Sequence, residues 1–198
     1  MNTIPYSSAA ERNRQPILDQ LQVLLPSQGT VLEIGSGTGQ HAVYFSQNLP
    51  KLMWQPSDMD TNIPALEAQF TANGNPRILP ILRLNVICDP WPGCSYEAIY
   101  SANTAHIMAW DVVVAMFAGV AAHLLPDGQF LLYGPFKIDN QFTSEGNEQF
   151  DARLRSDDPS RGIRDMAAIE NLAILHRMQL QQQITMPANN FILEFKKT

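Results

Sequence analysis

The sequence predicts an α/β fold in which a mostly parallel sheet has helices on both of its faces. Short apolar runs, typical of buried strands, alternate along the chain with segments whose apolar residues recur at helical spacing. The run at 31–34 passes directly through three closely spaced glycines into a helical pattern. The last two runs, 180–186 and 190–196, flank a short turn with a proline, which predicts a terminal antiparallel hairpin.

Each predicted element follows from its own pattern. Helices are expected over 8–25, 40–47, 61–73, 111–125 and 165–178, and strands over 31–34, 52–58, 78–86, 97–102, 129–133, 180–186 and 190–196. The stretch 78–86 is almost continuously apolar, as expected of a parallel strand covered on both faces. The stretch 137–164 is polar and long for a connection, so a lid or an insertion is expected there, with helical spacing at 147–155. No repeat or linker divides the chain, and a single domain over 1–198 is expected.

Composition and charge exclude several functions. With 45% hydrophobic and 16% charged residues, the 198-residue chain has the composition of a globular protein with a full core. The net charge of −6 leaves no general basic surface for nucleic acid. The longest apolar segment, 112–125, is too short to span a bilayer, and residues 1–14 lack the apolar core of a signal peptide. Cys88 and Cys94 are too few for a disulfide scaffold, so the cytoplasm is the expected compartment.

The glycines at 35, 37 and 39 form the most informative motif of the chain. Glycine is needed where the backbone takes a positive φ or where a ligand touches the main chain, and the following helix start offers unpaired N–H groups. The spacing differs from the dinucleotide fingerprint G-x-G-x-x-G, because Gln40 stands where the third glycine would be. A dinucleotide-dependent oxidoreductase is therefore disfavoured. A glycine-rich turn without a ligand is the plain alternative.

The motif that begins at Glu33, E-x-G-x-G-x-G, resembles the first motif of class I S-adenosylmethionine (SAM) methyltransferases. The resemblance implies a Rossmann-like class I methyltransferase fold, with a seven-stranded, mostly parallel sheet and an antiparallel C-terminal strand. It also implies that Glu33, Gly35, Ser36, Gly37 and Gly39 lie against the methionine portion of SAM. SAM is therefore the expected cofactor.

An acidic residue at the end of the second predicted strand is the next candidate. Ligands of parallel α/β sheets bind outside the carboxyl ends of the strands, and a carboxylate there can accept both hydroxyls of a ribose. Asp58 stands at this position and is predicted to bind the ribose of SAM. Asp60 is the alternative, and its plain role is to cap the next helix.

The end of the third predicted strand is expected to meet the adenine. Val86 or Ile87 would supply an apolar contact, and Asn85 or Asp89 a hydrogen bond to the exocyclic amine. Many relatives carry an acid near position 85, so the amide of Asn85 leaves that contact open. Trp91 fits the core as well as a cofactor wall.

The segment after the fourth strand holds the candidates for the acceptor. In class I methyltransferases this end of the sheet is beside the methyl group that is transferred, which implies that Asn103 orients the acceptor and the amino end of SAM. The ordinary pKa of histidine suits His106 to accept a proton near neutral pH, although a packing or capping role is the alternative. Trp110 would close the acceptor pocket or pack.

Arg12, Asn13 and Arg14 precede the first strand and have two interpretations. They would either fold over the mouth of the cofactor or substrate site or form a solvated helix face with surface ion pairs.

An ordered set of further motifs resembles the methyltransferase-like 26 group. The set consists of Ala10-Glu11-Arg12-Asn13-x-x-Pro16-Ile17-Leu18, residues 33–42, Trp54-Gln55-Pro56-Ser57-Asp58, Asp89-Pro90-Trp91-Pro92, Tyr133-Gly134-Pro135-Phe136, Ser144-x-x-Asn147, Phe150-Asp151-x-x-Leu154-Arg155 and Met186-Pro187-Ala188-Asn189-Asn190. One departure is that Met108-Ala109 replaces the Ser-Pro that relatives often have. The resemblance supports the fold and SAM, and it names no acceptor.

The function expected from these residues is methyl transfer from SAM to a small molecule. The protein would supply mainly position, because the cofactor carries the reactive group. The alternative is a module that binds SAM or its product S-adenosylhomocysteine (SAH) without catalysis and acts as a partner or sensor. No metal is expected, because the four histidines are scattered without ligand spacing.

Overall fold

The computed structural model describes residues 4–198, which divide into two compact units on either side of the junction between Tyr100 and Ser101. Residues 1–3, which begin the stretch predicted not to be a signal peptide, lie outside the described residues. No helix within 4–198 combines the length and apolar character that crossing a membrane requires.

The first unit alternates helices and strands. Its elements are α1 (Ser8–Leu24), β1 (Gly29–Ile34), α2 (Gln40–Asn48), β2 (Leu52–Asp58), a 3₁₀ turn (Asp60–Asn62), α3 (Ile63–Asn73), β3 (Leu82–Arg83) and most of β4 (Tyr96–Ala102). The hydroxyl of Ser7 caps α1 by accepting the N–H of Ala10. Because α1 begins at Ser8, Pro16 lies inside the helix and not in its first turn.

The second unit contains the remaining elements. They are α4 (Trp110–His123), β5 (Leu124–Gly134), β6 (Phe136–Lys137), α5 (Glu145–Asp157), β7 (Arg164–Asp165), α6 (Met166–Leu175), β8 (Met178–Met186), a 3₁₀ turn (Pro187–Asn189) and β9 (Asn190–Lys197). β9 pairs antiparallel with both β5 and β8, as the terminal hairpin predicts. The helix predicted within the lid or insertion is confirmed as α5.

The main sheet has seven strands in the order β3-β2-β1-β4-β5-β9-β8. β1 pairs parallel with β2, and β2 pairs parallel with β3. The predicted α/β fold, a seven-stranded sheet whose C-terminal strand is antiparallel, is confirmed. The carboxyl ends of β1 and β2 lie side by side, because Ile34 is the register partner of Ser57.

The third strand is much shorter than predicted. A strand over 78–86 is expected from the sequence, but β3 covers only two residues, and Ile78 makes an isolated bridge with Trp54. Pro80 has no N–H to donate to a ladder, which explains the interruption. At the other end, Cys88 and Asp89 donate their N–H groups to the carbonyl of Asn85 and close a turn. Asn85 therefore lies in a loop and not on a strand.

The segment predicted to be a lid or insertion is anchored at both ends. Its first and last residues join the short parallel pair of β6 and β7, in which Phe136 faces Arg164. The hydroxyl of Ser144 caps α5 by accepting the N–H of Asn147. The amide of Asn147 donates to Thr143 Oγ1 and to the carbonyl of Asn189, at 2.9 and 3.1 Å. These contacts fix the start of α5.

Candidate functional site

All three glycines of the turn after β1 have left-handed backbones. Their φ angles are 73° at Gly35, 56° at Gly37 and 74° at Gly39, values that L side chains rarely adopt. The N–H groups of Gly35 and Ser36 both donate to the carbonyl of Ser57, each at 3.0 Å. The prediction that this turn needs glycine is confirmed, and the turn is tied to the end of β2.

Two of these glycines differ in what surrounds them. A Cβ on Gly39 would lie 2.9 Å from Phe70 Cε1 and 3.1 Å from Leu66 Cδ2, so α3 leaves no room for a side chain. A Cβ on Gly37 would have no heavy atom within 4 Å. Gly39 is thus explained by packing. Gly37 presents bare backbone to open space, as a ligand-binding turn requires.

Glu33 is buried beneath the turn. Its Oε2 accepts hydrogen bonds from Ser36 Oγ and from Trp54 Nε1, both at 2.9 Å. Burial raises the pKa of Glu33 to about 7; the two hydrogen bonds oppose this rise, and the charge of Asp58 adds to it. Glu33 therefore fixes the glycine turn to β2. Its predicted contact with the methionine portion of SAM stays a prediction.

Asp58 reaches the glycine turn from the end of β2. Its Oδ2 accepts the N–H of Gly37 at 2.7 Å. Its Oδ1 accepts the N–H of Met59 at 2.8 Å and the amide of Asn62 at 2.9 Å. The side chain is only 6% exposed. The structure thus brings together the acid and the turn that the sequence predicts to share one ligand.

Asp60, the alternative acid, lies in the 3₁₀ turn after β2. It pairs with Arg83 at 2.8 Å, and both side chains are well exposed. An exposed pair of this kind explains Asp60 without a ligand.

The loop predicted to meet the adenine begins next to Asp58. The N–H of Leu84 donates to the carbonyl of Asp58 at 2.9 Å. Within the loop, Asn85 Oδ1 accepts the N–H of Ile87 at 3.3 Å, and Asp89 Oδ2 accepts the N–H of Asn85 at 2.7 Å. Both polar side chains therefore bond the backbone of their own loop, and their contacts with an adenine stay predictions.

Apolar side chains accompany this loop. Val86 is buried, and its carbonyl accepts a hydrogen bond from Trp91 Nε1 at 3.4 Å. Met59 and Ile87 are 48% and 49% exposed. Met59 is missing from the sequence prediction, although an apolar residue directly after the predicted ribose acid could have indicated it.

The polar front of α1 docks onto α2. Asn13 Oδ1 lies 2.7 Å from His41 Nε2, and Arg14 pairs with Glu11 at 2.6 Å. The guanidinium of Arg14 also lies over the ring of Tyr44, 4.5 Å from its centroid. These contacts explain Asn13 and Arg14 by packing. Arg12 is exposed, and a role at the mouth of a site stays a prediction for it.

His41 shows how α1 and α2 bury a histidine. Its Nδ1 lies 3.4 Å from the hydroxyl of Tyr100, and burial lowers its pKa to about 4. No group of three or more His, Cys, Asp or Glu side chains that could hold a metal ion occurs among the residues that the structure describes.

In the second unit, the loop after β4 carries Asn103 and His106. Asn103 has a left-handed backbone, with φ 59°, and its N–H donates to the carbonyl of Tyr133 at 2.9 Å. His106 is 5% exposed, and its ring meets the ring of Phe150 edge-on, 5.2 Å between centroids. The carbonyl of His106 accepts the N–H of Gly162 at 2.9 Å. The lid segment therefore packs on this loop at two points.

The pKa of His106 differs from the expectation. Burial, and secondly the charge of Arg164, lower this pKa to about 4. The expectation that His106 has a pKa suited to take a proton near neutral pH is wrong. The imidazole is neutral at pH 7 and is a weak base.

Arg164 is a residue that the sequence prediction misses. Its Nε donates to the carbonyl of Ala105 at 3.0 Å, and its Nη2 donates to the carbonyl of Met108. Its guanidinium lies over the ring of Trp110, 5.7 Å from the centroid. No local signal could reveal these contacts, because the bonded residues are 56 and 59 positions apart.

The chain belongs to the family described as "Protein of unknown function (DUF938)", whose model matches residues 4–197. The fold is also similar to solved structures. An O-methyltransferase family protein from Burkholderia thailandensis matches with a TM-score of 0.81 and 16% identity, over 96% of this chain and 57% of that one. An O-methyltransferase family 2 protein from Planctomyces limnophilus, in complex with apigenin, matches with a TM-score of 0.79 and 13% identity, over 96% of this chain and 60% of that one.

A methyltransferase of calicheamicin biosynthesis, solved with SAH bound, matches with a TM-score of 0.76 and 13% identity, over 96% of this chain and 55% of that one. The chain thus spans a little over half the length of the solved structures it matches. At these identities the likeness shows the fold alone. The predicted Rossmann-like class I methyltransferase fold is confirmed.

Proposed function

We propose that this protein is a SAM-dependent methyltransferase that acts on a small-molecule acceptor. The observation that carries the proposal is the contact between Asp58 and Gly37. A buried carboxylate at the end of β2 bonds Gly37, a glycine of the turn whose missing side chain leaves open space. The left-handed φ of Gly37 does not by itself require glycine, because an asparagine also tolerates such a φ. Packing does not require glycine either, because no heavy atom lies within 4 Å of the position of a Cβ.

The residues of the first unit fit SAM in chemistry. The bare backbone at Gly37 would hold the methionine portion, together with Gly35 and Ser36. Asp58 would accept a ribose hydroxyl, because a carboxylate has about four acceptor sites and three of them are already used within the chain. Met59 would supply apolar surface for the adenine. When bound, SAM supplies a methyl group on a positively charged sulfur, which a nucleophile displaces.

Asn103 and His106 of the second unit are proposed to meet the acceptor. The left-handed backbone of Asn103 and the burial of His106 are unusual for a solvated loop, which supports this role. A small acceptor is supported by the net charge of −6 and by the solved relatives in complex with apigenin or of calicheamicin biosynthesis. No nucleic-acid or membrane partner is proposed, and the oligomeric state is left open.

The resemblance to the methyltransferase-like 26 group is part of the proposal. Several of its motifs have structural roles in the second unit: Ser144 caps α5, Asn147 bonds Asn189, and Asp151 bonds the N–H of Ile163 at 2.6 Å. A cytoplasmic location is proposed as well, in keeping with two free and exposed thiols.

Calorimetric titration with SAM and SAH tests the cofactor part. Asp58→Asn should weaken binding by about 1–3 kcal/mol, the usual cost of losing a charged hydrogen-bond partner. The matched control is Asp60→Asn, which removes an acid two positions away and should leave the affinity unchanged. Absence of SAM binding to the wild-type protein would reject the proposal.

The non-catalytic alternative has one observation in its favour. An imidazole with a pKa of about 4 is a weak base, and a protein that only binds SAM or SAH needs no base. A screen for SAH release against pools of small molecules separates the two functions. The alternative predicts tight SAM binding and no SAH release with any pool, whereas the enzyme releases SAH with at least one.

A further inference from the structure

We propose that Arg164 positions His106 for the acceptor. Its guanidinium holds the turn that carries the imidazole, so that a hydroxyl or N–H of the acceptor meets a fixed hydrogen-bond acceptor. This inference rests on the proposed methyltransferase function and assigns a role within it. It concerns side chains of the second unit only.

The loop that carries His106 is held in a fixed position. Arg164 donates to the carbonyls of Ala105 and Met108, which lie on either side of His106 in the chain. The N–H of Gly162 donates to the carbonyl of His106 itself. The backbone around the imidazole is thus bonded on both sides by the segment that ends in β7. The fixed fork of a planar guanidinium holds the two carbonyls through Nε and Nη2, and the ammonium of a lysine lacks this fork.

The imidazole is also open to a ligand. The ring of His106 makes none of the hydrogen bonds found among residues 4–198, and neither of its nitrogens is a fully buried atom without a partner, although the residue is only 5% exposed. An acceptor that brings a hydroxyl or N–H would bond to this ring.

The charge of Arg164 also bears on the chemistry of the acceptor. Arg164 is the charged side chain that acts on His106, and it disfavours a proton on the imidazole. Arg164 is in turn affected by the Asp151–Arg155 ion pair of α5. A cationic acceptor would face the same repulsion from Arg164. The acceptor group is therefore a neutral or anionic one that donates a hydrogen bond, and not an ammonium group.

Space beside the ring completes the site. A methyl group on Gly134 would lie 3.7 Å from His106 Nδ1, which is ordinary van der Waals contact. Gly134→Ala should therefore fold normally and crowd this nitrogen.

The experiment is an NMR titration of the histidine ring nitrogens in the full-length protein. The signals of His106 are assigned by their loss in His106→Gln, and its pKa is followed in the wild type, Arg164→Gln, Arg164→Lys and the control Arg161→Gln. In the wild type, His106 should stay neutral down to a pKa of about 4. The pKa should rise in Arg164→Gln but stay below the ordinary value, because burial, the larger cause of the lowered pKa, remains, and it should stay at the wild-type value in Arg161→Gln.

The lysine variant separates position from charge. Arg164→Lys keeps the charge but loses the rigid fork that holds both carbonyls, so the ring signals should shift and broaden although the pKa changes less than in Arg164→Gln. Wild-type signals and pKa in both Arg164 variants would overturn the proposal.

Two probes then test the acceptor chemistry at pH 7. Phenol, a neutral hydroxyl donor, should shift the ring nitrogens of His106 in a saturable way, and Gly134→Ala should reduce this shift. Benzylammonium should leave them unchanged. No response to phenol, or an equal response to both probes, would contradict the assignment. SAM binding, measured separately, should be unchanged in the Arg164 variants, so loss of the proposed function and loss of this inference remain distinguishable.

Discussion

The glycine turn of the first unit and the 103–108 loop of the second differ in how their polar groups are paired. In the turn, Glu33 and Asp58 bond groups of the turn and of β2. In the loop, the backbone is bonded by the distant residues Gly162 and Arg164, while the imidazole of His106 has no partner within the described chain. The polar side chains of the turn are bonded within the chain, whereas in the loop the backbone is bonded and the imidazole is not.

The largest expected effect in this comparison is on stability, at Gly39. In Gly39→Ala the new methyl meets Phe70 at 2.9 Å, and the backbone keeps φ 74°. Overpacking and the left-handed φ together should lower the free energy of unfolding by about 3 kcal/mol. Urea denaturation measures this. A loss below about 1 kcal/mol would mean that α3 moves away easily and that the turn is not rigid.

The pH dependence of stability distinguishes the two regions next. The folded pKa of Glu33 is raised from 4.5 to about 7, so the folded state binds more protons in this window, and stability falls as pH rises through it. In Glu33→Gln that fall should disappear, a difference of about 3 kcal/mol between pH 4.5 and pH 7.5. Urea denaturation across this range checks the sign. An unchanged slope would show that Glu33 is ionised in the fold.

His106 should have the opposite sign. Its folded pKa is lowered from 6.5 to about 4, so the folded state binds fewer protons there, and stability is lost as pH falls from 6.5 toward 4. His106→Gln should reduce this loss of stability by about 3 kcal/mol. The variant should still lose stability at low pH, because His41 also has a pKa lowered to about 4. Identical pH profiles of variant and wild type would place His106 in solvent.

The sequence predicts the turn region well because its determinants are close together in the chain. Alternate glycines, Glu33 before them and Asp58 at the end of the next strand are all visible in the chain. The prediction of a long third strand is wrong because the apolar run 78–86 contains Pro80, which cannot donate a hydrogen bond to the ladder. For the 103–108 loop, the sequence prediction misses Arg164 and the lowered pKa of His106, because both depend on packing between residues more than 50 positions apart. The roles of Asn103, His106 and the cofactor residues stay predictions.

A matched substitution at Gly37 sharpens the contrast with Gly39. Gly37→Ala adds a methyl with no heavy atom within 4 Å and should cost only about 1 kcal/mol of stability, from φ alone. SAM affinity should nevertheless fall at least tenfold, because the methyl occupies the proposed ligand space. Thermal unfolding and calorimetry on the same sample check both parts, and unchanged affinity would remove Gly37 from the site.

The smallest expected effect is at the exposed Asp60–Arg83 pair. Arg83→Gln should change the free energy of unfolding by no more than about 0.5 kcal/mol, because exposed ion pairs contribute little. SAM affinity should be unchanged. A clear loss of affinity in urea-stable Arg83→Gln would mean that the acid of the site is Asp60.

A crystal structure grown with SAH tests the central claim most directly. The proposed function predicts density for the amino-acid portion against the backbone at Gly37 and for the ribose hydroxyls at the carboxylate of Asp58. Density bound elsewhere, or a ribose that does not contact Asp58, would contradict it.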